Sequence, residues 1–146
     1  MGQGLNTKVA QIVAHEFQID FDAIKITATT TGKVPNTSAT AASSGTDLNG
    51  MAAQAAARTI KTRMTTHLAG LHECAAEDVI FSDGMVRAGA VRLSFAEAVK
   101  ACYMGRVSLS STGYYATPKI HWDSSRARGR PFYYFCLLYT SDAADE

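Results

Sequence analysis

Two loops of small residues hold the positions in this sequence best suited to chemistry. Gly2-Gln3-Gly4 runs directly into a helical pattern, so unpaired backbone N–H groups stand at a helix N-terminus, where an anion such as a phosphate is stabilised. Two glycines around one polar side chain also let the main chain pass close to a ligand. In the second loop, Thr37, Ser38, Thr40, Ser43 and Ser44 offer hydroxyls, while Ala41, Ala42 and Gly45 admit a bulky polar ligand at the start of a longer helix. The glycine motif is a weak signal by itself, but two such loops, each feeding a helix, form a reasonable clamp for a phosphate-bearing cofactor. A plainer account stays open on these residues alone: the hydroxyls cap helices and satisfy loop backbone.

Other chemistries find less support. GxGxxG, GxxxxGK[ST] and GxSxG are absent. Cys102 and His121 could act as nucleophile and base only if a strained turn presented the thiol, and nothing between them marks one. No catalytic residue is assigned. His15, His67, His72 and His121 lack the spacing of a helix-borne metal motif and read as structural or surface residues. Cys74, Cys102 and Cys136 form an odd, widely spaced set without a CxxC pair, so no metal ligand is expected and a reducing, cytoplasmic setting is the simpler reading. The formal charge is +1, with only the loose set Arg126, Arg128 and Arg130, too sparse for a nucleic-acid surface. At 47% apolar and 18% charged, the chain has the balance of a globular segment; no membrane span or export signal is expected.

The elements that would position the loops follow from periodicity. Asn6 or Thr7 can cap a helix carrying Leu5, Val9, Ile12, Val13 and Phe17 at helical spacing to about residue 17. Ile24, Ile26 and Ala28 alternate with Lys25 and Thr27, which predicts a strand over about 24–29. Gly32 and Pro35 shape the loop over 31–44. From about Thr46, Leu48, Ala52, Ala56, Ile60, Met64 and Leu68 fall four apart as one helical stripe whose alanines permit close approach of a neighbour, with Gly70 expected to end it.

Val79-Ile80-Phe81 and Met85-Val86 flank Ser82-Asp83-Gly84, a hairpin signal, and Ser94 with Glu97 has the spacing of a capping box opening a helix to about Cys102. Val107, Leu109 and Ser111 predict a further strand. The aromatic stretch 113–135 yields no clear elements. The sum is α+β, one domain at most, and a domain that opens on its ligand loop without a strand to steady it reads as a truncated piece.

The residues resemble a known family. Met1-Gly2-Gln3-Gly4-Leu5-Asn6-Thr7-Lys8, Val34-Pro35-Asn36-Thr37-Ser38, Thr40-Ala41-Ala42-Ser43 and Asp47-Leu48-Asn49-Gly50 are similar, in order and spacing, to the molybdopterin-binding region of xanthine dehydrogenases and their aldehyde oxidase relatives. Ser108-Leu109-Ser110, Thr112-Gly113-Tyr114-Tyr115 and Pro131-Phe132-Tyr133-Tyr134-Phe135 look like the xanthine dehydrogenase branch. The resemblance covers about residues 1–135 and implies a fragment of the molybdopterin-binding domain of the large subunit.

What the resemblance implies for the site is specific. Gly2 and Gln3 would touch the pyranopterin, and Thr40, Ala41, Ala42 and Ser43 would wrap the cofactor, with Thr46 a further contact. Ala41 and Ala42 would lie nearest a flat heterocyclic substrate. Gly45 departs from the hydroxyl residue that some relatives carry there, which removes one hydrogen bond. The family hydroxylates an electron-poor carbon of purines such as hypoxanthine and xanthine, or of other aromatic heterocycles. Its cofactor is molybdopterin with molybdenum, either plain or as the cytosine dinucleotide. Electrons leave through 2Fe-2S clusters and FAD, on other domains or subunits of an oligomeric enzyme, to NAD⁺. The family's glutamate base and its substrate-placing arginine and glutamate have no counterpart here, so the segment alone is expected to be inactive. An aldehyde oxidase-like hydroxylase, or a non-enzymatic small-ligand or interaction module, remains the alternative.

The resemblance breaks off at Cys136. Residues 136–146 look like the in-frame translation of a sequencing adapter, an expected non-native tail that adds three acidic residues and no basic ones.

Overall fold

A computed structural model describes residues 4–28, 30, 32 and 44–130. Packing divides the chain into two compact units, residues 1–115 and 116–146.

The first unit opens with helix α1, Leu5–Phe17, whose apolar periodicity buries Leu5, Ala10, Ala14 and Phe17. It stops where Gln18 turns left-handed at φ 55° and its N–H reaches back to the α1 carbonyls. The strand predicted over 24–29 is not observed over its described residues. Asp20 accepts from the Asp22 N–H and caps a single 3₁₀ turn, Phe21–Ala23, after which 24–28 joins neither sheet. Residues 25–28 are exposed, so alternation here has no apolar surface to bury against.

Helix α2, Gly45–Leu71, is the spine of the unit. It runs through the exposed Gly70 rather than ending there, because the reversal is made later: His72 N–H donates to the Leu68 carbonyl, Cys74 N–H to that of Ala69, and Glu73 takes φ 51°. The residues spaced four apart do not form one face either. A step of four overshoots a 3.6-residue turn by about 40°, so the series winds to nearly the opposite side between Leu48 and Leu68. Gly50, Ala57, Met64 and Leu68 are the buried line. Ala52 and Ala56 face a different neighbour: a Cβ on Gly113 would fall on the Ala52 carbonyl oxygen and the Ala56 nitrogen. The close approach expected of these alanines is therefore made by the extended segment around Gly113.

Three strands, β1 (Val79–Ser82), β2 (Met85–Ala88) and β3 (Val91–Ser94), form an antiparallel meander in the order β1-β2-β3. Ser82 pairs with Met85, leaving the two-residue turn Asp83-Gly84 with φ of 49° and 73°. Asp-Gly tolerates those angles, which makes the hairpin legible in sequence. The third strand was not predicted; it is four residues long and carries Arg92 between its apolar positions.

Helix α3, Phe95–Met104, follows without a break through the expected capping box: Ser94 Oγ accepts from the Glu97 N–H, and the Glu97 carboxylate accepts from the Ser94 N–H at 2.8 Å. The Ser94 hydroxyl also donates to the Glu97 carboxylate at 2.7 Å, and this bond first, then the one from the Ser94 N–H, holds the Glu97 carboxyl below its ordinary pKa. The core lies between α2, the meander and α3, with Phe17, Met64, Leu68, Phe81, Val86, Ala98 and Cys102 in contact and Phe17 edge-on to Phe95 at 5.6 Å.

The alternation predicted for a strand at Val107, Leu109 and Ser111 is present and continues to 115, odd positions half-buried and even positions exposed, yet the segment pairs with no strand among the described residues. In the second unit, β4 (His121–Asp123) and β5 (Arg128–Arg130) form an antiparallel hairpin whose turn is held by Asp123 accepting from the Ser125 and Arg126 N–H groups.

Candidate functional site

Helices α1 and α2 lie parallel, and this places the candidate site. A Cβ on Gly50 would lie 2.6 Å from Ile12 Cδ1, so glycine lets the two helices approach. One turn further along both, Glu16 accepts from Gln54 Nε2 at 3.3 Å and from Arg58 Nε at 3.2 Å. Beyond these, Lys61 donates to the Glu16 carbonyl at 2.6 Å while its ammonium sits 5.1 Å from the centre of the Phe81 ring. The largely exposed Arg58 guanidinium makes its ion pair worth little in stability. The Glu16 cluster instead fixes the register in which the helices run side by side.

That register brings the two N-termini to one end. Ile12 is the eighth residue of α1 and Gly50 the sixth of α2, so the helices begin within about 3 Å of the same level. Neither start has a side-chain cap hydrogen bond. Gly4 enters α1 at φ 65°, which favours glycine, and its carbonyl accepts from Lys8 N–H at 3.0 Å. Parallel dipoles of two helices repel, and an anion at their shared positive end offsets that repulsion. In the first turn of α2, Asp47 Oδ2 is buried without a hydrogen-bond partner among the described residues.

Gly2, Gln3, Thr40, Ala41, Ala42 and Ser43 lie outside the described residues. Thr46 is half-buried in the first turn of α2 and borders an open groove of about 280 Å³ with Lys8, Gln11, Ile12, His15 and Gln54. Lys8, Gln11 and His15 were not singled out from sequence as one group, although their i, i+3, i+7 spacing puts them on one helix face. His15 is exposed and also borders a second open groove, of about 440 Å³, beside Asp20, Asp83 and Gly84. Cys102 is fully buried against the core, and burial pushes its thiol pKa up, which opposes a nucleophilic role. Among the described residues no group of three His, Cys, Asp or Glu side chains is arranged to hold a metal, and no helix is long and apolar enough to cross a membrane.

Comparison with known proteins decides what this arrangement belongs to. Residues 1–143 match the molybdopterin cofactor-binding domain family. The chain belongs to that family. Xanthine dehydrogenase from Oryza sativa subsp. japonica is 42% identical over 135 residues, covering 92% of this chain and 8% of the relative, and xanthine dehydrogenase from Dictyostelium discoideum is 38% identical over 138 residues, covering 92% and 9%. This molybdopterin cofactor-binding domain thus spans less than a tenth of the length of those relatives. The fold is similar to quinoline 2-oxidoreductase from Pseudomonas putida 86, with TM-score 0.62 and 25% identity over 88% of this chain and 19% of that one. The mixed helix and sheet fold expected from sequence is therefore that of the molybdopterin-binding region.

Proposed function

We propose that this domain forms part of the molybdopterin-binding wall in the large subunit of a xanthine dehydrogenase-type hydroxylase acting on purines such as xanthine and hypoxanthine. The observation that carries the reading is the pair of parallel, side-chain-uncapped helix N-termini at one end of the unit. Each is entered from a loop whose residues resemble the family's cofactor loops. The fit to a pterin phosphate is physical: two helix starts without a side-chain cap bond among the described residues and two positive dipole ends favour the phosphate. The buried Asp47 oxygen, without a partner among the described residues, would accept from N–H donors of the kind that a pterin ring carries.

When bound, the cofactor supplies the redox step of carbon hydroxylation. Gly2, Gln3, Thr40 to Ser43 and Thr46 would hold it, with Ala41 and Ala42 leaving room for a flat heterocycle. This chain supplies binding and orientation, not a proton-transfer base, so residues 1–135 alone are expected to be inactive. In the same reading, residues 136–146 are a non-native tail, the iron-sulphur and FAD groups sit on other parts of an oligomeric cytoplasmic enzyme, and NAD⁺ takes the electrons. The names of the sequence relatives favour purines over aldehydes.

The test is recovery of the parent gene, expression of the complete enzyme, and assay of bound molybdenum with xanthine-dependent NAD⁺ reduction. Gln3→Ala is expected to lower molybdenum content severalfold. A complete enzyme free of molybdenum and inert to xanthine would overturn the reading.

A further inference from the structure

Residues 107–115 lie along α2 as an extended segment: the edge of Ser108 and Ser110 is occupied, and on the other edge only the stretch between Val107, whose N–H donates to the Cys102 carbonyl at 2.9 Å, and Tyr115, which has a partner of its own, is open among the described residues. In extended backbone the N–H and C=O of a residue point to the same edge, and those of the next residue to the opposite edge. Arg63 reaches from α2 to the first edge, donating from Nη1 to the Ser110 carbonyl at 2.9 Å, the Ser108 carbonyl at 3.3 Å and the Ser108 hydroxyl at 3.3 Å. The second edge carries the main-chain groups of Leu109, Ser111 and Gly113. None of these has a hydrogen-bond partner among the described residues. The half-buried odd side chains are packed inward and Gly113 is seated on the α2 backbone, so the segment is held extended without a neighbouring strand among the described residues.

Natural edge strands are blunted by charge, proline or a bulge, and 107–115 has neither charged residue nor proline. An unpaired row of donors and acceptors on a preformed extended segment is a template for strand addition.

We infer that the edge formed by Leu109, Ser111 and Gly113 is a strand-acceptor site, occupied by an extended segment of the same polypeptide lying outside residues 1–146. The inference rests on the reading of this chain as part of a longer subunit. Its occupant is argued from length: the relatives carry more than ten times as much chain as these residues span. It is argued also from the absence of any charge on the segment that would turn a neutral strand away.

Amide-resolved hydrogen exchange on the 146-residue chain and on the complete subunit tests it. The Leu109, Ser111 and Gly113 amides are expected to exchange on the order of a hundredfold slower in the complete subunit, with Ser110 and Thr112 changing far less. Ser111→Pro removes the central donor and is expected to lower the Tm of the complete subunit while leaving that of the 146-residue chain unchanged. Equal fast exchange in both proteins overturns the inference, as does protection in the 146-residue chain that grows with its concentration, which would mean a second copy is the occupant. Molybdenum content, read on the same preparation, separates failure of this inference from failure of the cofactor reading.

Discussion

The two ends of α2 are built for different work. Towards its C-terminus, Met64 and Leu68 are sealed against Phe81, Val86, Ala98 and Cys102 in a dry apolar core. Towards its N-terminus, Gly50 and Thr46 meet α1 through a close approach and an open groove, and Asp47 keeps a buried oxygen without a partner among the described residues. Burial of apolar area stabilises the first end. The second end leaves polar capacity unused among the described residues, in keeping with the proposed cofactor wall. One continuous helix thus transmits the rigidity of a core to a place that has little of its own.

Leu68→Ala tests the core end most severely, since a fully buried leucine leaves a cavity: a loss of about 2–5 kcal/mol is expected from urea denaturation. Gly113→Ala comes next, at about 1–3 kcal/mol, because its new methyl meets helix backbone that cannot swing aside. A near-neutral result there would mean that 107–115 is not seated on α2 as described. Ser94→Ala is expected to cost about 1 kcal/mol through the lost cap of α3. Glu97 adds a pH signature. Its folded pKa is depressed, so its contribution is fully present above the ordinary carboxylate range and fades as pH falls through the lowered value. The difference between wild type and Ser94→Ala, followed by thermal melts, should therefore shrink on acidification. Thr46→Val has the smallest expected effect on stability, within about 0.5 kcal/mol. In the complete enzyme it should nonetheless reduce molybdenum occupancy. Leu68→Ala protein that remains folded should keep its occupancy, and the opposite pattern would erase the distinction between the two ends.

Elements whose cause is local were readable in the residues. Asp83-Gly84 specifies its turn, Ser94 with Glu97 specifies the start of α3, and Leu5 to Phe17 carries its own apolar stripe. Features that depend on a neighbour were not. Ile24 to Ala28 and Val107 to Ser111 alternate alike, yet neither joins a sheet among the described residues, because alternation states which side is apolar and not whether another strand lies alongside. The third strand is no shorter than the two that were readable, but the Gly89-Ala90 turn before it lacks the Asp-Gly signal. At the candidate site, the two loops were proposed from their small residues and Thr46 from the resemblance, whereas the groove of Lys8, Gln11 and His15 needed the parallel register of two helices far apart in sequence. Nothing local in either helix states that register.

The turn at Asp83-Gly84 acts on more than the meander. Gly84 donates its N–H to the Gln18 carbonyl at 2.7 Å and accepts from Phe95 N–H at 2.9 Å, so the hairpin tip is bolted to the foot of α1. Helix α1 is then a strut about 20 Å long, clamped at the end remote from Gly4. Loosening that clamp by a tilt of about 3° would carry the free end some ~1 Å sideways, by the geometry of a rigid rod of that length. Alignment of the Gly4 end of α1 thus depends on a two-residue turn at the helix's opposite end.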